Sequence, residues 1–459
     1  MKNTGNEKNS MLSTSCRILG KGLSISGDCH KTRLNNNVLV VGISGSNKTT
    51  SYVVPNILNS SNESMVVVDT KGMISRHCAG ILEKRGYRII HMDFVHPERS
   101  DPFNPLDTVQ RYTKRRLRMI DPGVYDDGEE LLAPEYEEVE EQAYRQQDLH
   151  RIAGVLAPLR DYEKDPFWPQ SAQTVIESLM AYVLEVLPEE EQHFGSVMRL
   201  FRQMGREVSQ KGFSDVSFFA ALEADDPESF AVKKYRSYAP NFPAERCWSS
   251  IEQFVSNALQ VFDYDETRPM LCRKGIDLAD CGREKSVIFV NVSDTDRCMD
   301  SIVNVFYTQL LQMLCNEADS RADGRLRVPV HIYLDDFASN VFIPDFDKIV
   351  SVIRSRDVSV SIMLQSIAQL KGMYNVGQAS TIINNCDNIV YMGGTDPDNA
   401  KFFADKAGRL PESILEMDLD HEWVFTRGRG ARLLEKFPPR FMNGEAFELE
   451  AGEVAMVEQ

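Results

Sequence analysis

The sequence predicts an α/β fold: a mainly parallel sheet split by a largely helical insertion. Three observations predict it. Residues 38–50 (VLVVGISGSNKTT) pass from a fully apolar run into a glycine- and serine-rich loop ending in Lys-Thr. Short apolar runs alternate with helical periodicity on both sides of a long stretch that carries helical periodicity alone. A further apolar run, 328–336 (VPVHIYLDD), ends in two aspartates. Strands buried on both faces read as unbroken apolar runs, and strands separated by helices make a parallel sheet with helical crossovers.

The elements follow in order. Residues 1–35 form a polar N-terminal segment expected to be loosely ordered. The run 38–41 lies between Asn35, Asn36 and Asn37 on one side and Gly42 on the other, and a helix follows the loop. A second strand, 65–68, leads into Asp69-Thr70-Lys71-Gly72, then come a helical stretch to Gly86, a strand at 87–92 and a turn-rich DPFNPLD at 101–107. These make up the first part of the α/β domain, 36–107. The insertion, 108–285, opens with a basic patch (Arg111, Lys114, Arg115, Arg116, Arg118) and an acidic segment, 126–141. Each reads as a solvated helix face or a flexible insertion, with a partner-binding surface as the alternative. From 150 to 262 the pattern is helical and aromatic-rich, an all-α domain; within it 174–187 reads as a buried helix because Glu177 and Glu185 interrupt its apolar run. Strands return at 287–292, 328–334, 358–364 and 389–392, with a weaker one at 423–426, so the second part of the domain covers 286–440. An acidic tail, 441–459, closes the chain.

Composition bounds the function. At 459 residues the chain exceeds one compact core. A net charge of −17 argues against a surface coated for duplex DNA, while leaving room for a local basic groove. The nine cysteines show no C-x-x-C pair, and neither Cys29-His30 nor His77-Cys78 has a second pair at metal-ligand spacing. That usage fits a reducing cytosol. No secretory leader and no uninterrupted apolar stretch of about 18 residues is present, so the reading is cytoplasmic.

The loop carries the chemistry. A phosphate-binding loop is Gly, four free positions, Gly, Lys, then Ser or Thr. Gly42, Lys48 and Thr49 obey it, and Asn47 replaces the second glycine. The backbone of Gly42, Ser44, Gly45, Ser46, Asn47, Lys48, Thr49 and Thr50 would wrap the phosphates of ATP at the positive end of the following helix. Lys48 would reach the β- and γ-phosphates, and the Thr49 hydroxyl would ligate Mg²⁺. Asn tolerates positive φ best among residues other than glycine, so the expectation is a surviving loop with weakened binding. At the end of 328–336, Asp335 would hold the Mg²⁺ shell and Asp336 would polarise the attacking water, one methylene shorter than the usual Glu. Gln365 ends the next strand, where it would sense the γ-phosphate. Arg354 and Arg356 precede that strand as candidate arginine fingers, the alternative for either being surface solvation or a salt bridge.

Together NNNVLVVG…KTT, VVVDTKG, GYRIIHMDFVHPERSDPFNPLD and LDDF…IPDFDKIVSVIRSRDVSVSIMLQSIAQL…NNCDNIVYMGGTDP resemble the type IV coupling proteins of bacterial conjugation, the TraG/TraD-like DNA-transfer ATPases, and among them those of Gram-positive mobile elements. DPFWPQSAQTVIESLMAYVL resembles that family's inserted all-α domain. The resemblance runs from about Ile18 to about Phe437. It implies a RecA-like P-loop NTPase that uses ATP and Mg²⁺, assembles as a homo-hexamer and passes relaxase-bound single-stranded DNA to type IV secretion channel components. It assigns Lys48 and Thr49 to phosphate and metal, Asp335 to the metal shell, Asp336 to the catalytic acid, Gln365 to the γ-phosphate sensor, and Arg354, better than Arg356, to the arginine finger. Asn47, Asp336 and the lack of the family's N-terminal transmembrane helices depart from the pattern. Peripheral attachment at the cytoplasmic membrane face through a partner is the expectation. Two other readings stay open: a hydrolysis-deficient paralogue acting as a substrate-recruiting adaptor, and another RecA-like DNA translocase.

Overall fold

The computed structural model describes residues 16–121, 135–159, 165–210, 216–337 and 342–438. The chain forms two compact units, one of residues 1–102 with 276–459 and the other of residues 103–275. The insertion therefore ends earlier than 285, because Ile276 already donates its amide to Pro102 O.

In the first unit an N-terminal hairpin, β1 (Cys16–Gly20) and β2 (Leu23–Ser26), precedes the main sheet. Then come β3 (Val38–Val41), β4 (Ser64–Val68) and β5 (Arg88–Asp93). The strands β6 (Arg111–Asp121) and β7 (Glu135–Tyr144) belong to the second unit. The first unit resumes with β8 (Ser286–Asn291), β9 (Val330–Leu334), β10 (Val358–Leu364), β11 (Asn388–Tyr391), β12 (His421–Thr426) and β13 (Arg432–Glu435). The nine-stranded sheet runs β13-β12-β11-β3-β10-β9-β4-β8-β5. Every pairing from β11 to β5 is parallel, and β12 and β13 add antiparallel at one edge. All residues of β3, β4, β9, β10 and β11 are buried, which is why these strands are predominantly apolar, whereas the edge strand β5 alternates.

One polar residue inside the sheet has an identifiable partner set. His331 on β9 places its ring nitrogens 2.7 Å from the hydroxyls of Ser359 and Ser361 on β10, and burial holds its pKa well below that of an ordinary imidazole. The N-terminal hairpin docks on the same layer. Arg17 pairs with Glu63 at 3.1 Å and meets the Tyr333 hydroxyl, while Asn56 clasps the backbone of Ile18 through bonds of 2.7 and 3.0 Å. Residues 16–26 are thus ordered against the core, contrary to the expectation of a loose N-terminal segment. The earlier residues, 1–15, and the acidic tail lie outside the described residues.

The second unit is built from helices Gln146–Leu156, Phe167–Val186, Phe194–Gln210, Ser217–Asp225, Phe230–Tyr238 and Glu245–Leu259. Aromatic side chains fill its centre, with Phe219 stacked on Tyr235 at 4.3 Å and Phe242 edge-on to Trp248 at 4.6 Å. Glu177, buried in the helix Phe167–Val186, pairs with the Lys234 ammonium at 2.5 Å and meets the His150 ring at 2.6 Å. The basic patch and acidic segment turn out differently from a solvated helix or flexible insertion. The described part of the acidic segment, 135–141, pairs with the basic patch as the antiparallel hairpin β6–β7, which sets Arg115 opposite Glu140 at 3.4 Å, while residues 126–134 lie outside the described residues. Opposite charges facing across strands stabilise such a ladder, and period-two pairing overrides the helical reading.

Candidate active site at the carboxyl ends of the strands

The seven parallel strands end at one edge of the sheet, where α/β proteins bind ligands. β3 delivers the loop there. Val41 pairs with Leu364 of β10 and Tyr391 of β11, Gly42 N donates to Leu364 O at 3.0 Å, and Ile43 N donates to Gly393 O at 3.2 Å. A Cβ at Gly42 would lie 2.5 Å from Ser46 Oγ, so only glycine fits, and that buried hydroxyl has no hydrogen-bond partner among the described residues. Gly45 and Asn47 both take left-handed backbone, at φ 80° and 68°. Asn47 therefore supplies the conformation that a glycine would have adopted. Behind it the helix begins with a π-type turn, Lys48–Val53, and continues as Val54–Asn59.

The Lys48 ammonium donates to Gly42 O at 2.6 Å and to Ile43 O at 3.2 Å. Burial lowers its pKa, opposed by the charges of Asp336 and Asp335. Thr49 Oγ1 donates to Asp335 Oδ2 at 2.6 Å, and Asp336 N donates to Asp335 Oδ1 at 3.1 Å. Burial pushes the Asp335 carboxyl up to about 6, with the Thr49 hydrogen bond pulling the other way. Asp336 is half-buried and sits at φ 47°. The shorter acid has a backbone reason, because Asp enters the left-handed region more readily than Glu.

Gln365 follows β10 directly and so lies next to Gly42, its own amide held by Gln369 Oε1 at 3.0 Å. Arg354 lies at the other end of the sheet. It precedes β10, whose first residue, Val358, pairs with Val330 at the start of β9. Its guanidinium is exposed and donates to Cys29 O at 3.3 Å. Arg356 is bound by both Asp319 oxygens, at 2.8 and 2.9 Å, which is the salt-bridge alternative. The structure thus brings together the loop, Asp335, Asp336 and Gln365, and places Arg354 away from them in the same chain. The Cys29–His30 pair does gain a third polar neighbour, Asp357, but Arg325 already occupies both of its oxygens at 2.6 and 2.8 Å.

Sequence reasoning missed Lys436. Its Nζ donates to Ser46 O at 3.2 Å across 390 residues, and no spacing in the chain signals that approach.

The chemistry of the donor set fits a nucleotide and a divalent cation: an ammonium, a hydroxyl, a buried carboxylate and an unpartnered loop hydroxyl converge on one helix start. A fold and loop of this kind define a RecA-like P-loop NTPase. The sequence matches the family described as type IV secretory system conjugative DNA transfer over residues 3–410, and the chain belongs to that family. No curated protein sequence matches. Among solved structures, the unbound monoclinic form of the bacterial conjugative coupling protein TrwBdeltaN70 is 14% identical, with 94% of this chain and 90% of that chain covered at a TM-score of 0.64. TrwB in complex with the ATP analogue ADPNP is 14% identical, with 92% and 88% covered at 0.60. VirB4 of Thermoanaerobacter pseudethanolicus is 10% identical, with 92% and 96% covered at 0.52. Likeness at such identities carries the fold, and the family match carries the role in conjugative DNA transfer. Among the described residues no helix is long and apolar enough to cross a membrane.

Proposed function

We propose that this coupling protein binds ATP with Mg²⁺ and hydrolyses it to move a relaxase-bound single DNA strand into a type IV secretion channel. The observation that carries the reading is the contact of Thr49 with Asp335 at 2.6 Å, beside the Lys48 ammonium. Thr49 and Asp335 would hold Mg²⁺, which supplies charge neutralisation at the phosphates. Lys48 and the amides of residues 42–50 would bind the phosphate oxygens. Asp336 would orient the attacking water and accept its proton, and Gln365, beside Gly42, would sense the γ-phosphate. The complexes of TrwB with ADPNP, and with ADP and Mg²⁺, support this choice of ligand. Arg354, at the far end of β10, would act on a neighbouring subunit's nucleotide in a homo-hexameric ring. Attachment at the cytoplasmic membrane face would come through a channel partner.

The test is Mg-ATP binding and hydrolysis by purified protein, with and without single-stranded DNA. DNA-stimulated turnover that Lys48→Ala removes supports the motor. A second reading, a hydrolysis-deficient adaptor that recruits relaxase, is favoured by Asn47 and Asp336. It predicts negligible turnover with relaxase capture retained, and brisk turnover by wild type excludes it.

A further inference from the structure

We propose that Lys436, delivered by the C-terminal hairpin β12–β13, is a positioning residue that locks the phosphate loop at the Ser46–Asn47 peptide. The inference rests on reading that loop as a nucleotide site.

The argument begins with the peptide plane. Ser46 C=O and Asn47 N–H belong to one plane, and its rotation sets Asn47 φ. Lys436 Nζ donates to Ser46 O at 3.2 Å on one side of that plane. On the other side of Asn47, its own carbonyl accepts the Ser51 amide at 2.8 Å and meets Thr50 Oγ1 at 3.4 Å. The residue that departs from the glycine pattern is therefore held from both sides in its left-handed conformation, which Asn adopts less freely than glycine. A tether from outside the loop narrows the choice between that conformation and the alternatives open to a non-glycine.

The tether is itself a built feature. Lys436 is 8% exposed, and its amide donates to Asp420 O at 2.8 Å, so the backbone cannot swing away freely. Glu422 is 1% exposed and is the acid with the strongest pull on the ammonium. Its carboxylate packs against Gly20 of β1, where a Cβ would lie 2.7 Å from Glu422 Oε1. Lys21 N donates to Glu435 O at 3.0 Å and closes the N-terminal hairpin onto β13. Burial pushes the Glu422 carboxyl up to about 8, against the Lys436 charge. Burial also lowers the pKa of Lys436, opposed by Glu422 and Asp420, and Lys48 is close enough to lower it further. A buried ammonium and carboxylate are costly to retain in a core. Here the ammonium meets the Ser46 carbonyl of the phosphate loop.

The experiment compares full-length wild type, Lys436→Met and Lys436→Arg by hydrogen-exchange mass spectrometry and by titration with a fluorescent ATP analogue and Mg²⁺. A hydrogen bond from a charged donor corresponds to roughly tenfold in an equilibrium constant. Lys436→Met is expected to raise amide exchange in residues 44–51 about tenfold without nucleotide, and to weaken analogue binding about tenfold. Lys436→Arg is expected to restore most of both. Unchanged exchange and affinity in Lys436→Met overturns the proposal, and so does an arginine variant that behaves like the methionine one. Faster exchange in β12 matching that in the loop also overturns it, because the lysine would then be holding the hairpin together. A wild type that binds no analogue overturns the nucleotide reading, while loop exchange still judges Lys436.

Discussion

Thr49 Oγ1 and Asp335 Oδ2 lie 2.6 Å apart although 286 residues separate them in the chain. Parallel pairing produces this contact. β3 and β9 both flank β10, so the helix that starts at Lys48 and the acid that ends β9 converge above one strand. The buried carboxylate has a consequence for stability. Asp335 is pushed from 3.8 up to about 6. A carboxyl raised in the folded state contributes stability that is fully present below its unfolded pKa and is lost as pH rises through the folded value. Between pH 4 and pH 6 the free protein should therefore lose stability at this site, on the order of 2–3 kcal/mol. Asp335→Asn should raise the melting temperature at pH 7.5 by roughly 2–6 °C, give no gain at pH 4, and abolish the Mg²⁺ dependence of nucleotide binding. Thermal melts at the two pH values with a Mg²⁺ titration check this, and a destabilised Asn variant at pH 7.5 contradicts it.

Lys48 now spends its ammonium on Gly42 O and Ile43 O. Binding of ATP has to exchange those two carbonyls for phosphate oxygens, so affinity reports the difference between the two sets of bonds. Lys48→Met should weaken binding of a fluorescent ATP analogue at least tenfold while shifting the melting temperature by no more than roughly 2 °C, because losing two hydrogen bonds is offset by no longer burying a charge. Calorimetry together with analogue titration separates the two effects. A large drop in melting temperature would mean that the lysine is structural.

At position 336 reach and backbone pull in opposite directions. The carboxylate is one methylene shorter than Glu, and an acid misplaced by about 1 Å costs on the order of a hundredfold in rate. Yet φ at Asp336 is 47°, where Glu is the less tolerated residue. Asp336→Glu is expected to raise steady-state ATP turnover about tenfold and to lower stability by about 1 kcal/mol. A phosphate-release assay and a denaturant midpoint on the same preparation measure both. If turnover falls, the short acid is already in register with its water.

The strands that position the site were legible because each is buried on both faces and mostly apolar: Val38–Val41 and Val358–Leu364 fall at the predicted positions. The elements that were not legible lack that signal. β13 (Arg432–Glu435) is an edge strand of mostly exposed residues, and β1 sits in a segment whose polar composition hid a docked hairpin. The strands β6 and β7 carry charges that a helix face would also carry, and only cross-strand pairing distinguishes the two. Within the candidate site, local spacing singled out Lys48 and Thr49 and a strand end singled out the paired aspartates, and the structure brings Thr49 to Asp335. Lys436 was invisible because its contact depends on how an antiparallel hairpin adds beyond β11, a matter of topology rather than motif.

Arg354 separates binding from assembly. It lies at the start of β10, and the phosphate loop meets the end of the same strand through Gly42 N and Leu364 O. An arginine so placed is separated from its own subunit's phosphate loop by the length of β10, and the hydrogen bond from its guanidinium to Cys29 O is at the long end at 3.3 Å. Arg354→Ala should therefore leave ATP affinity within about twofold of wild type while lowering turnover about a thousandfold, the lower range for a finger supplied in trans. Mixing gives the sharper test. Lys48→Ala subunits lack the phosphate lysine but keep the finger, and Arg354→Ala subunits keep the lysine but lack the finger. Inactive alone, the two should recover measurable turnover when co-assembled, because some interfaces then pair an intact loop with an intact arginine. No recovery in mixtures shown by light scattering to contain both subunits would remove Arg354 from the neighbour's site. Recovery with either variant already active alone would mean that the lesion was not at that interface.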